Sequence, residues 1–522
     1  MTTTQYVGAR YVPLFKGEWD NTKTYEPLCI VSNQGNSYTS RQYVPMGIAI
    51  DNDEYWALTG NYNAQVDAYR EEVKTLVNQI GFVTPEMFGA KGDGVTNDTQ
   101  AITEAINTGK PCYFKNTTYL VDNIEVTTDT LYMIGDNTTL KANYNSGISY
   151  YSVIMNITNA LKNKCLITSF NIEYTSLPNS YTKQSGFGIT LFGFNMVEIS
   201  NVTISNTLMN SILIRGSEIV NIHDCTLCNI KKDDAHSSKN AITVYDNFFD
   251  QISRPKCCTI NNIIAYNIPH EFIAFSGDVI SITNCKINNL GQYFLEILGD
   301  QNTAFLIKNI DIDVIGGTFV NSDTPITGEV SNVNITEAGN TSYSTNKDTY
   351  HYAKLLAANK IGRIYFNNIN FSSTESPITP SSSSTCITFT SGTVYLYNSS
   401  ISTPYDSIIV SKKSFIENCT LNSAMFSSFS GSIYMRNCIA NTVNVTNDTI
   451  IENSNFNDKN VCYLNGTNIS NVTINNCRNS KYCIGGTGTV TNAVIVNNVC
   501  NTAIQNTISV TNRLTNNNKE AQ

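Results

Sequence analysis

A short pattern of apolar and polar positions, apolar–x–Asn–x–x–apolar, returns along the last two thirds of the chain. Each copy has an apolar residue followed two positions later by Asn or, in one case, by Asp. The copies begin at Ile199, Ile222, Ile260, Ile282, Ile307, Val330, Phe366, Leu396, Ile416, Met435, Ile451, Ile469, Ile495 and Val510. Most early copies lie roughly 20–25 residues apart, which is typical of a solenoid. The longer step from Ile222 to Ile260 is interpreted as one normal coil that carries an insertion of about 15 residues.

The sequence between successive copies consists of short β-branched alternations, such as ILIRG from Ile212 and AITVYD from Ala241. These segments lack the apolar spacing of a helix, so each coil is predicted to be built from strands. A single coil of this length cannot bury its own apolar face, whereas stacked coils share a continuous core. Asn at one fixed corner can turn the chain and hydrogen-bond to the Asn of the next coil. The predicted fold is therefore all-β, a right-handed parallel β-helix.

A different period occupies residues 62–80, where apolar residues alternate at spacings of three and four. They are Val66, Tyr69, Val73, Leu76 and Ile80. This spacing is that of a heptad seam, with charged residues elsewhere on the helix. One interpretation is an amphipathic helix that packs on its own chain. Because the segment lies between two β regions and its seam is regular, we favour a coiled coil of three chains and predict a homotrimer.

The charge balance argues against a nucleic-acid partner, since 14% of residues are charged, the net charge is −9 and the pI is near 5.1. Nucleic-acid binding proteins carry clustered Lys and Arg, and the sequence has no such cluster. The chain begins with no signal peptide and contains no apolar run long enough to span a bilayer. We therefore expect that the protein does not insert into a membrane. We also expect that it assembles in the cytoplasm.

The cysteines follow the corner pattern rather than a disulfide framework. Five of them directly follow the corner Asn or Asp, namely Cys225, Cys285, Cys419, Cys438 and Cys477. They are predicted to form a column of small, reduced core residues. The pairs Cys225-x-x-Cys228 and Cys257-Cys258 are conceivable metal ligands. The chain has only four His, however, and none lies at zinc spacing from these cysteines. The sequence predicts no metal site and no cofactor.

Residues 1–60 contain both tryptophans, Trp19 and Trp56, with Tyr25, Tyr38 and Pro45 between them. The order Trp, Tyr, apolar strand, Gly-x-x-Tyr, Pro, Trp resembles the small chitinase-type carbohydrate-binding modules. That resemblance implies that Trp19, Tyr38 and Trp56 stack on sugar rings. In a module this small the same aromatic residues can instead form the core, and the module can equally serve as a docking adaptor.

Residues 83–107 resemble the opening of the pectate-lyase-like family. The matching segments are Phe88-Gly89-Ala90 as first strand, Gly92-Asp93-Gly94 as turn, Asn97-Asp98-Thr99 as helix cap and 101–106 as helix. Asp98 is expected to cap the helix N-terminus, and the helix is expected to close the open end of the solenoid. This resemblance implies a fold rather than a chemistry.

These features predict four regions: a small β module at 1–60, a trimeric coiled-coil helix at 61–82, a pectate-lyase-like β-helix at 83–390 and a C-terminal stem at 391–522. From about residue 395 the corner copies lie roughly 16–20 residues apart, which is short for a full coil. We therefore expect a narrower β-helix, a β-prism or an intertwined trimeric stem in the last region.

The strand after each corner begins at Asn210, Asn240, Glu271 and Tyr293 in successive coils. This arrangement resembles the polygalacturonase branch of the fold, in which acidic residues at these positions carry out hydrolysis. Most of those acids are missing here, and their mechanism is not transferred to this chain.

The remaining candidates lie on one flank of the predicted solenoid. Candidate catalytic residues are Asp233, Asp234, His270, Glu271 and Glu296, and candidate substrate-binding residues are Arg215 and Tyr245 together with Trp19, Tyr38 and Trp56. Two carboxylates suit glycoside hydrolysis, and a base near Arg suits a lyase reaction. The alternative interpretation is a solvated, charged loop on the solenoid surface.

The whole arrangement resembles a bacteriophage tail spike or pre-neck appendage protein. That resemblance implies a virion protein, a homotrimer that recognises a host-surface polysaccharide such as capsule or teichoic acid, and that in many relatives also depolymerises it. It further implies contacts of the N-terminus with other tail or neck proteins. Two alternatives stay open: a purely structural or receptor-binding spike, and a free bacterial polysaccharide lyase or glycoside hydrolase.

Overall fold

The fold is described from a computed structural model. It describes residues 12–60, 62–143, 151–156, 161–177, 185–232, 239–246, 254–299, 301–339, 354–373, 385–389, 391–403, 406–408, 413–423, 427–428, 432–444, 447–457, 460–479 and 481–519. The chain forms two compact units, Met1–Phe82 and Val83–Gln522.

The first unit contains a four-stranded sheet and one helix. The elements are β1 (Leu14–Glu18), β2 (Cys29–Asn33), β3 (Asn36–Ser40), β4 (Trp56–Gly60) and α1 (Tyr62–Gln79). Strands β1 and β2 are parallel, and β2, β3 and β4 follow each other antiparallel. The core consists of Tyr25, Cys29, Val31, Val44 and Trp56. Trp19 and Tyr38 pack against this core and are partly buried.

Helix α1 confirms the helical period of residues 62–80 and presents part of its apolar seam to solvent. Tyr69 is 68% exposed and Val73 is 38% exposed, although both are apolar seam positions. The seam is therefore not fully covered by this single chain.

The second unit is a solenoid of parallel strands, preceded by a 3-10 helix at Pro85–Phe88. Its first half contains β5 (Asp93–Asn97), α2 (Thr99–Ile106), β6 (Cys112–Tyr113), β7 (Thr118–Val121), β8 (Ile124–Glu125), β9 (Thr130–Ala142), β10 (Ser152–Asn156), β11 (Lys162–Tyr174), β12 (Phe187–Phe192), β13 (Phe194–Ser205), β14 (Ile212–Arg215), β15 (Ile219–Cys228), β16 (Ile242–Tyr245), β17 (Cys257–Ile268), β18 (Ile273–Phe275), β19 (Val279–Leu290), β20 (Leu295–Ile297), β21 (Thr303–Ile315) and β22 (Val320–Ala338).

Its second half continues with β23 (Leu356–Ser372), β24 (Thr385–Phe389), β25 (Thr393–Tyr397), β26 (Ser400–Thr403), β27 (Asp406–Ile408), β28 (Lys413–Glu417), β29 (Thr420–Ser423), β30 (Ser427–Ser428), β31 (Ser432–Arg436), β32 (Ile439–Ala440), β33 (Val443–Asn444), β34 (Thr449–Glu452), β35 (Asn455–Phe456), β36 (Asn460–Asn475), β37 (Tyr482–Val496), β38 (Thr502–Ile504) and β39 (Ile508–Asn516).

Each strand of the solenoid pairs in parallel with the strand one coil later, so the second unit is a right-handed parallel β-helix, as predicted. The first apolar residues of the corner pattern lie directly beside one another. One continuous column runs through Ile199, Ile222, Ile260, Ile282, Ile307, Val330, Phe366, Leu396, Ile416, Met435 and Ile451. Ile222 pairs directly with Ile260 across the long gap, which confirms one coil with an insertion.

Two of the predicted pattern copies do not belong to this column. Beyond Ile451 the column continues through Ile474 and Ile495. Ile469 and Val510 instead pair with Val490 on a different side of the coil. In this Asn-rich region the same six-residue pattern also fits a second corner, and this second match caused the error.

The corner asparagines confirm the predicted turn and the predicted amide ladder. Their backbone lies in the left-handed region, with φ of 56° at Asn284, 57° at Asn309 and 54° at Asn332. Asn tolerates this region better than other non-Gly residues. The Asn309 side-chain amide donates to Asn284 Oδ1 at 2.8 Å and Asn332 donates to Asn309 Oδ1 at 2.9 Å. The corner residues therefore form hydrogen-bonded runs, from Asn284 to Asn368 and from Asn398 to Asn437. Between the runs the amide donates to the residue beside the preceding corner, as Asn284 does to Asn261 and Asn398 to Asn367.

Two shorter side-chain ladders accompany the corner ladder. Asn471 donates to Asp448 at 2.6 Å, and Asn492 then donates to Asn471 at 2.7 Å. Asn334 likewise donates to the Asp311 carboxylate at 2.9 Å. In the corner row itself, Asn262 donates to Asp224 at 2.6 Å. The acceptors of these three bonds are Asp residues, whereas a further row, in which Asn267 donates to Asn229 and Asn289 to Asn267, begins at an Asn.

The corner cysteines are buried thiols, as predicted. Each thiol donates to the carbonyl two residues earlier, for example Cys225 Sγ to His223 O at 3.1 Å and Cys419 Sγ to Glu417 O at 3.2 Å. All fifteen cysteines are free, and all except Cys257 are buried. This arrangement satisfies the carbonyl at the bend with a small, compact side chain.

The opening of the solenoid differs from the sequence prediction in two details. Residues 88–90 do not form the first strand, because Phe88 ends the 3-10 helix and Gly89 has φ of 99°. Asp98 occupies the N-cap position of α2 but makes no capping bond there. Its carboxylate accepts from the Lys91 and Gly92 N–H groups at 2.7 and 2.9 Å and so fixes the preceding loop.

Helix α2 buries Ile102, Ala105 and Ile106 against the first strands of the solenoid. Within the described ranges, neither helix combines the length and the apolar character needed to cross a bilayer.

The corner geometry generates a stability prediction at Asn309. Asn309→Ala should lower the free energy of unfolding by about 2–3 kcal/mol, because it loses two amide bonds and places a Cβ residue at positive φ. Asn309→Gly should lose only about 1 kcal/mol, since the backbone strain is relieved. Urea unfolding followed by circular dichroism compares the two variants. An Ala variant as stable as the Gly variant would contradict a role for the left-handed backbone.

Candidate functional site

The register of the solenoid brings four of the predicted site residues onto one outward face. Arg215 at the end of β14 pairs directly with Tyr245 at the end of β16. Glu296 lies in the middle of β20, and Glu271 precedes β18. We call Arg215, Tyr245, Glu271 and Glu296 together the Glu271 site.

Glu271 is a carboxyl group that the fold removes from water. Its backbone carbonyl accepts from Ala241 N at 3.0 Å, which places it in register one coil after Asn240. The residue is only 5% exposed. Burial raises the pKa of Glu271 well above its usual 4.5, and the nearby charge of Glu296 raises it further. This environment favours the protonated acid over the carboxylate.

Glu296 shares that environment but is half-buried and faces solvent on one side. Burial raises the pKa of Glu296, and the charge of Asp323 raises it further. A hydrogen bond from the Asn321 side chain acts in the opposite direction, because it favours the ionised carboxylate. The two glutamates therefore form an interacting pair. The state in which the pair carries one proton is favoured over the state in which both carboxyl groups are ionised.

Tyr245 and Arg215 form the polar edge of the site. Burial raises the pKa of the Tyr245 hydroxyl, and the charges of Glu296 and Glu271 raise it further. Because such charge effects fall off with distance, Tyr245 and both glutamates lie in one cluster. The Arg215 guanidinium lies 5.3 Å from the Tyr245 ring centroid and 5.9 Å from that of Phe192, a cation–π arrangement.

The positions that carry acids in polygalacturonases hold an amide network in this chain. The Asn210 side chain donates to Thr243 Oγ1 at 2.9 Å, and Asn240 donates to the same hydroxyl at 3.1 Å. The Asn240 backbone N–H donates to Asn210 Oδ1 at 3.1 Å. Both asparagines are buried. Their amides position the strand ends and provide no acid.

Several buried polar atoms in this part of the solenoid, among the described residues, have no hydrogen-bond partner. They include the side-chain oxygen of Asn240, the side-chain nitrogen of Gln292 and the hydroxyl oxygens of Ser211, Ser217 and Ser276. His270 is also buried, with its Nδ1 3.8 Å from Glu271 Oε2. A ligand hydroxyl could supply the missing partners, since unpaired buried polar atoms are costly.

Asp323 is a carboxylate that the sequence analysis did not single out. It lies two residues after Asn321, on the same outward face, and it influences the pKa of Glu296. The sequence feature that could have identified Asp323 is its position in the coil that follows Glu296. Asp233 and Asp234, the candidate acids of the insertion, lie outside the described residues.

The aromatic candidates of the first unit divide by burial. Trp56 is 2% exposed and packs edge-on against Tyr25 at 5.2 Å between ring centroids, so it forms the core of the module. Trp19 and Tyr38 are partly buried and keep some exposed surface.

A second surface of the solenoid carries stacked aromatic rings. We call Tyr365, Tyr395, Phe415 and Tyr434 the aromatic stripe. Their ring centroids lie 4.4, 4.9 and 5.0 Å apart from one coil to the next, with nearly parallel planes. Because each ring face is covered by its neighbour, the stripe offers ring edges rather than free faces. A shallow groove of about 180 Å³ runs beside it, lined by Tyr397, Glu417 and Arg436 among others.

Within the described part of the chain there is no group of three or more His, Cys, Asp or Glu residues that could hold a metal ion.

Comparison with known sequences gives two matches. Residues 83–313 match the family described as rhamnogalacturonase A/epimerase, pectate lyase-like. A depolymerase of Klebsiella phage KN3-1, named as depolymerase 1 and capsule KN3-specific, is 51% identical over 51 residues. That match covers 9% of this chain and 6% of the depolymerase, so it spans only a small part of either protein.

Solved structures similar to the chain are distant. The tailspike protein 3 of bacteriophage CBA120 has 11% identity and a TM-score of 0.42, over 97% of this chain and 78% of that one. The surface adhesin PfbA of Streptococcus pneumoniae has 14% identity and a TM-score of 0.41, over 83% of this chain and 91% of that one.

The raised pKa of Glu271 generates a prediction about pH and stability. The pKa of Glu271 is higher in the folded state than its usual value of 4.5 in the unfolded chain. The contribution of Glu271 to the free energy of unfolding is therefore greatest below pH 4.5, and it is lost as the pH rises through the folded-state pKa. Glu271→Gln removes this penalty, so it should raise the melting temperature by a few degrees at pH 8 and by progressively less toward pH 4.

The exposed Glu337 provides the matched control for this measurement. The melting temperatures of all variants are measured by calorimetry between pH 4 and pH 8. The difference in melting temperature between Glu337→Gln and wild type should not increase with pH. Equal melting temperatures of wild type and Glu271→Gln across the whole pH range would rule out a buried, proton-binding Glu271.

Proposed function

We propose that this chain is the host-recognition spike of a bacteriophage and that it cleaves a host-surface polysaccharide at the Glu271 site. The observation that carries this proposal is a pair of interacting, partly desolvated carboxyl groups on the outer face of a β-helix whose sequence matches a pectate-lyase-like family. The short similarity to a capsule depolymerase supports a capsular or similar cell-surface glycan as the substrate class.

The chemistry of this interacting carboxyl pair suits hydrolysis of a glycosidic bond. Buried Glu271 is held protonated and is the general acid that gives its proton to the leaving sugar oxygen. Glu296, whose ionised form the Asn321 amide favours, takes a proton from the attacking water or attacks the sugar itself. Arg215 and Tyr245 are positioned to bind the neighbouring sugar hydroxyls. Asp233 and Asp234 of the insertion stay candidates for the second carboxylate.

A second candidate function is a receptor-binding spike without catalysis. The amide network of Asn210 and Asn240 favours it, because those positions carry no acid. The near-complete burial of Glu271 also favours it, since a substrate must reach that carboxyl group. The assay described below separates binding from cleavage.

We further propose that the working form is a homotrimer. Support comes from the exposed seam residues Tyr69 and Val73 of α1. It also comes from the aromatic stripe, because a column of ring edges suits contact with another protein surface better than stacking on a sugar. The N-terminal module is proposed to dock the spike to other tail or neck proteins, with Trp19 and Tyr38 as its exposed aromatic contacts. The protein would then be located in the virion after assembly in the host cytoplasm.

Cleavage is tested with a panel of purified capsular and cell-wall polysaccharides that includes the KN3 capsule, with polymer size followed by gel filtration. Wild type should shorten at least one polymer. Glu271→Gln should lower the rate about 100-fold or more, as expected for loss of a general acid. Glu296→Gln should do the same, whereas the exposed Glu337→Gln should not.

Polymer that is retained but never shortened would overturn the hydrolase and leave the receptor-binding spike. Polymer that is neither bound nor cut across the panel would count against the glycan-recognition proposal. Circular dichroism confirms that each variant is folded.

The trimer is tested by light scattering coupled to gel filtration, where a mass near three times 57.6 kDa is expected. Val73→Glu places a charge in the seam and should lower the trimer fraction on dilution. Thr75→Glu adds the same charge at an exposed position of α1 outside the seam and should leave the fraction unchanged. A monomeric wild type would contradict the proposal.

A further inference from the structure

Two cysteines near the C-terminal end of the solenoid are in direct sulfur–sulfur contact. Cys483 lies in β37, and Cys500 lies just before β38, the strand of the next coil. Their sulfur atoms are 3.0 Å apart, and both side chains are buried. The corner thiols donate to backbone carbonyls, and Cys419 and Cys438 among them also interact with each other.

We propose that Cys483 and Cys500 are an oxidation site that forms an intrachain disulfide and fastens two consecutive coils at the end of the solenoid. This inference does not depend on the proposed function. A disulfide bond is about 2.05 Å long, so the sulfurs must approach by only about 1 Å. Side-chain rotation supplies such a shift, because the two coils are already joined by the pairing of Tyr482 with Thr502 and of Ile484 with Ile504.

The chemistry balances with a peroxide as the oxidant, and a peroxide is small enough to reach a buried thiol. Cys500 is the attacking sulfur, because its hydrogen bond with Cys483 lowers the pKa of Cys500. It takes one oxygen from hydrogen peroxide to give a sulfenic acid and releases the other oxygen as water. The Cys483 sulfur then displaces the hydroxyl as a second water, and its proton leaves with it. Two thiols lose two electrons, and one peroxide becomes two waters.

The bond would join two adjacent coils of a repeat structure, in which neighbouring coils can open locally. Lys519 pairs through its backbone with this segment, since Cys500 N donates to Lys519 O at 2.7 Å. A bond between the two coils therefore opposes local opening of this segment.

The test uses the full-length protein, purified under reducing conditions and then treated with a small excess of hydrogen peroxide. Denatured wild type should change from fifteen reactive thiols to thirteen, with a mass loss of two hydrogen atoms. Peptide mapping without reductant should recover one cross-link that joins Cys483 to Cys500. Oxidised wild type should also resist proteolysis of its C-terminal coils better than reduced protein, and dithiothreitol should reverse that gain.

Cys500→Ser should keep all its thiols and show no gain in protease resistance. Cys419→Ser, which removes a corner thiol, should still form the cross-link. A wild-type map that shows sulfinic acids or a different cysteine pair, with no Cys483–Cys500 peptide, would overturn the proposal even if the variants fail to fold.

Discussion

An asparagine in the left-handed conformation turns the chain at a fixed corner of nearly every coil, and in runs of neighbouring coils its side-chain amide donates to the corner asparagine of the coil before. This single interaction sets the register of the strands. Since Asn284, Asn309 and Asn332 are held in one row, the apolar residues two positions earlier must also form one row. The core column of isoleucines is a consequence of that alignment, as is the stacking of thiols behind the corner.

The same register brings together chemistry from distant parts of the sequence. Arg215 and Glu296 are separated by three coils of chain, yet both influence the Tyr245 hydroxyl. This clustering lowers the stability of the folded state, because Glu271 is buried beside the carboxyl group of Glu296. A stable solenoid can tolerate such a cluster, since each coil is supported by its two neighbours. The desolvation that opposes folding also favours the protonated form of Glu271.

Much of the fold was predictable because the corner pattern repeats at a regular spacing in the sequence. The column of paired core residues from Ile199 to Ile451 followed from that spacing alone. The predictions failed where a pattern fits two places or where one residue has several possible partners. Ile469 matched the corner pattern on another side of the coil, and Asp98 bonded to the preceding loop instead of the helix end. The burial of Glu271 and the influence of Asp323 depend on which side chains of neighbouring coils meet, and spacing does not encode that.

The side-chain ladders also have a direction. In each row the later coil donates and the earlier coil accepts, so every amide N–H points toward the start of the solenoid and every C=O toward its end. Aligned amide dipoles add, as they do along an α-helix. Two of the rows begin at a carboxylate on their electrically positive end, from Asp311 and Asp448, whereas the row of Asn229, Asn267 and Asn289 begins at an amide. Asp224 accepts in the same way from Asn262, and this hydrogen bond lowers the pKa of Asp224. The solenoid therefore carries aligned side-chain dipoles, some of which are neutralised at their positive end by an aspartate.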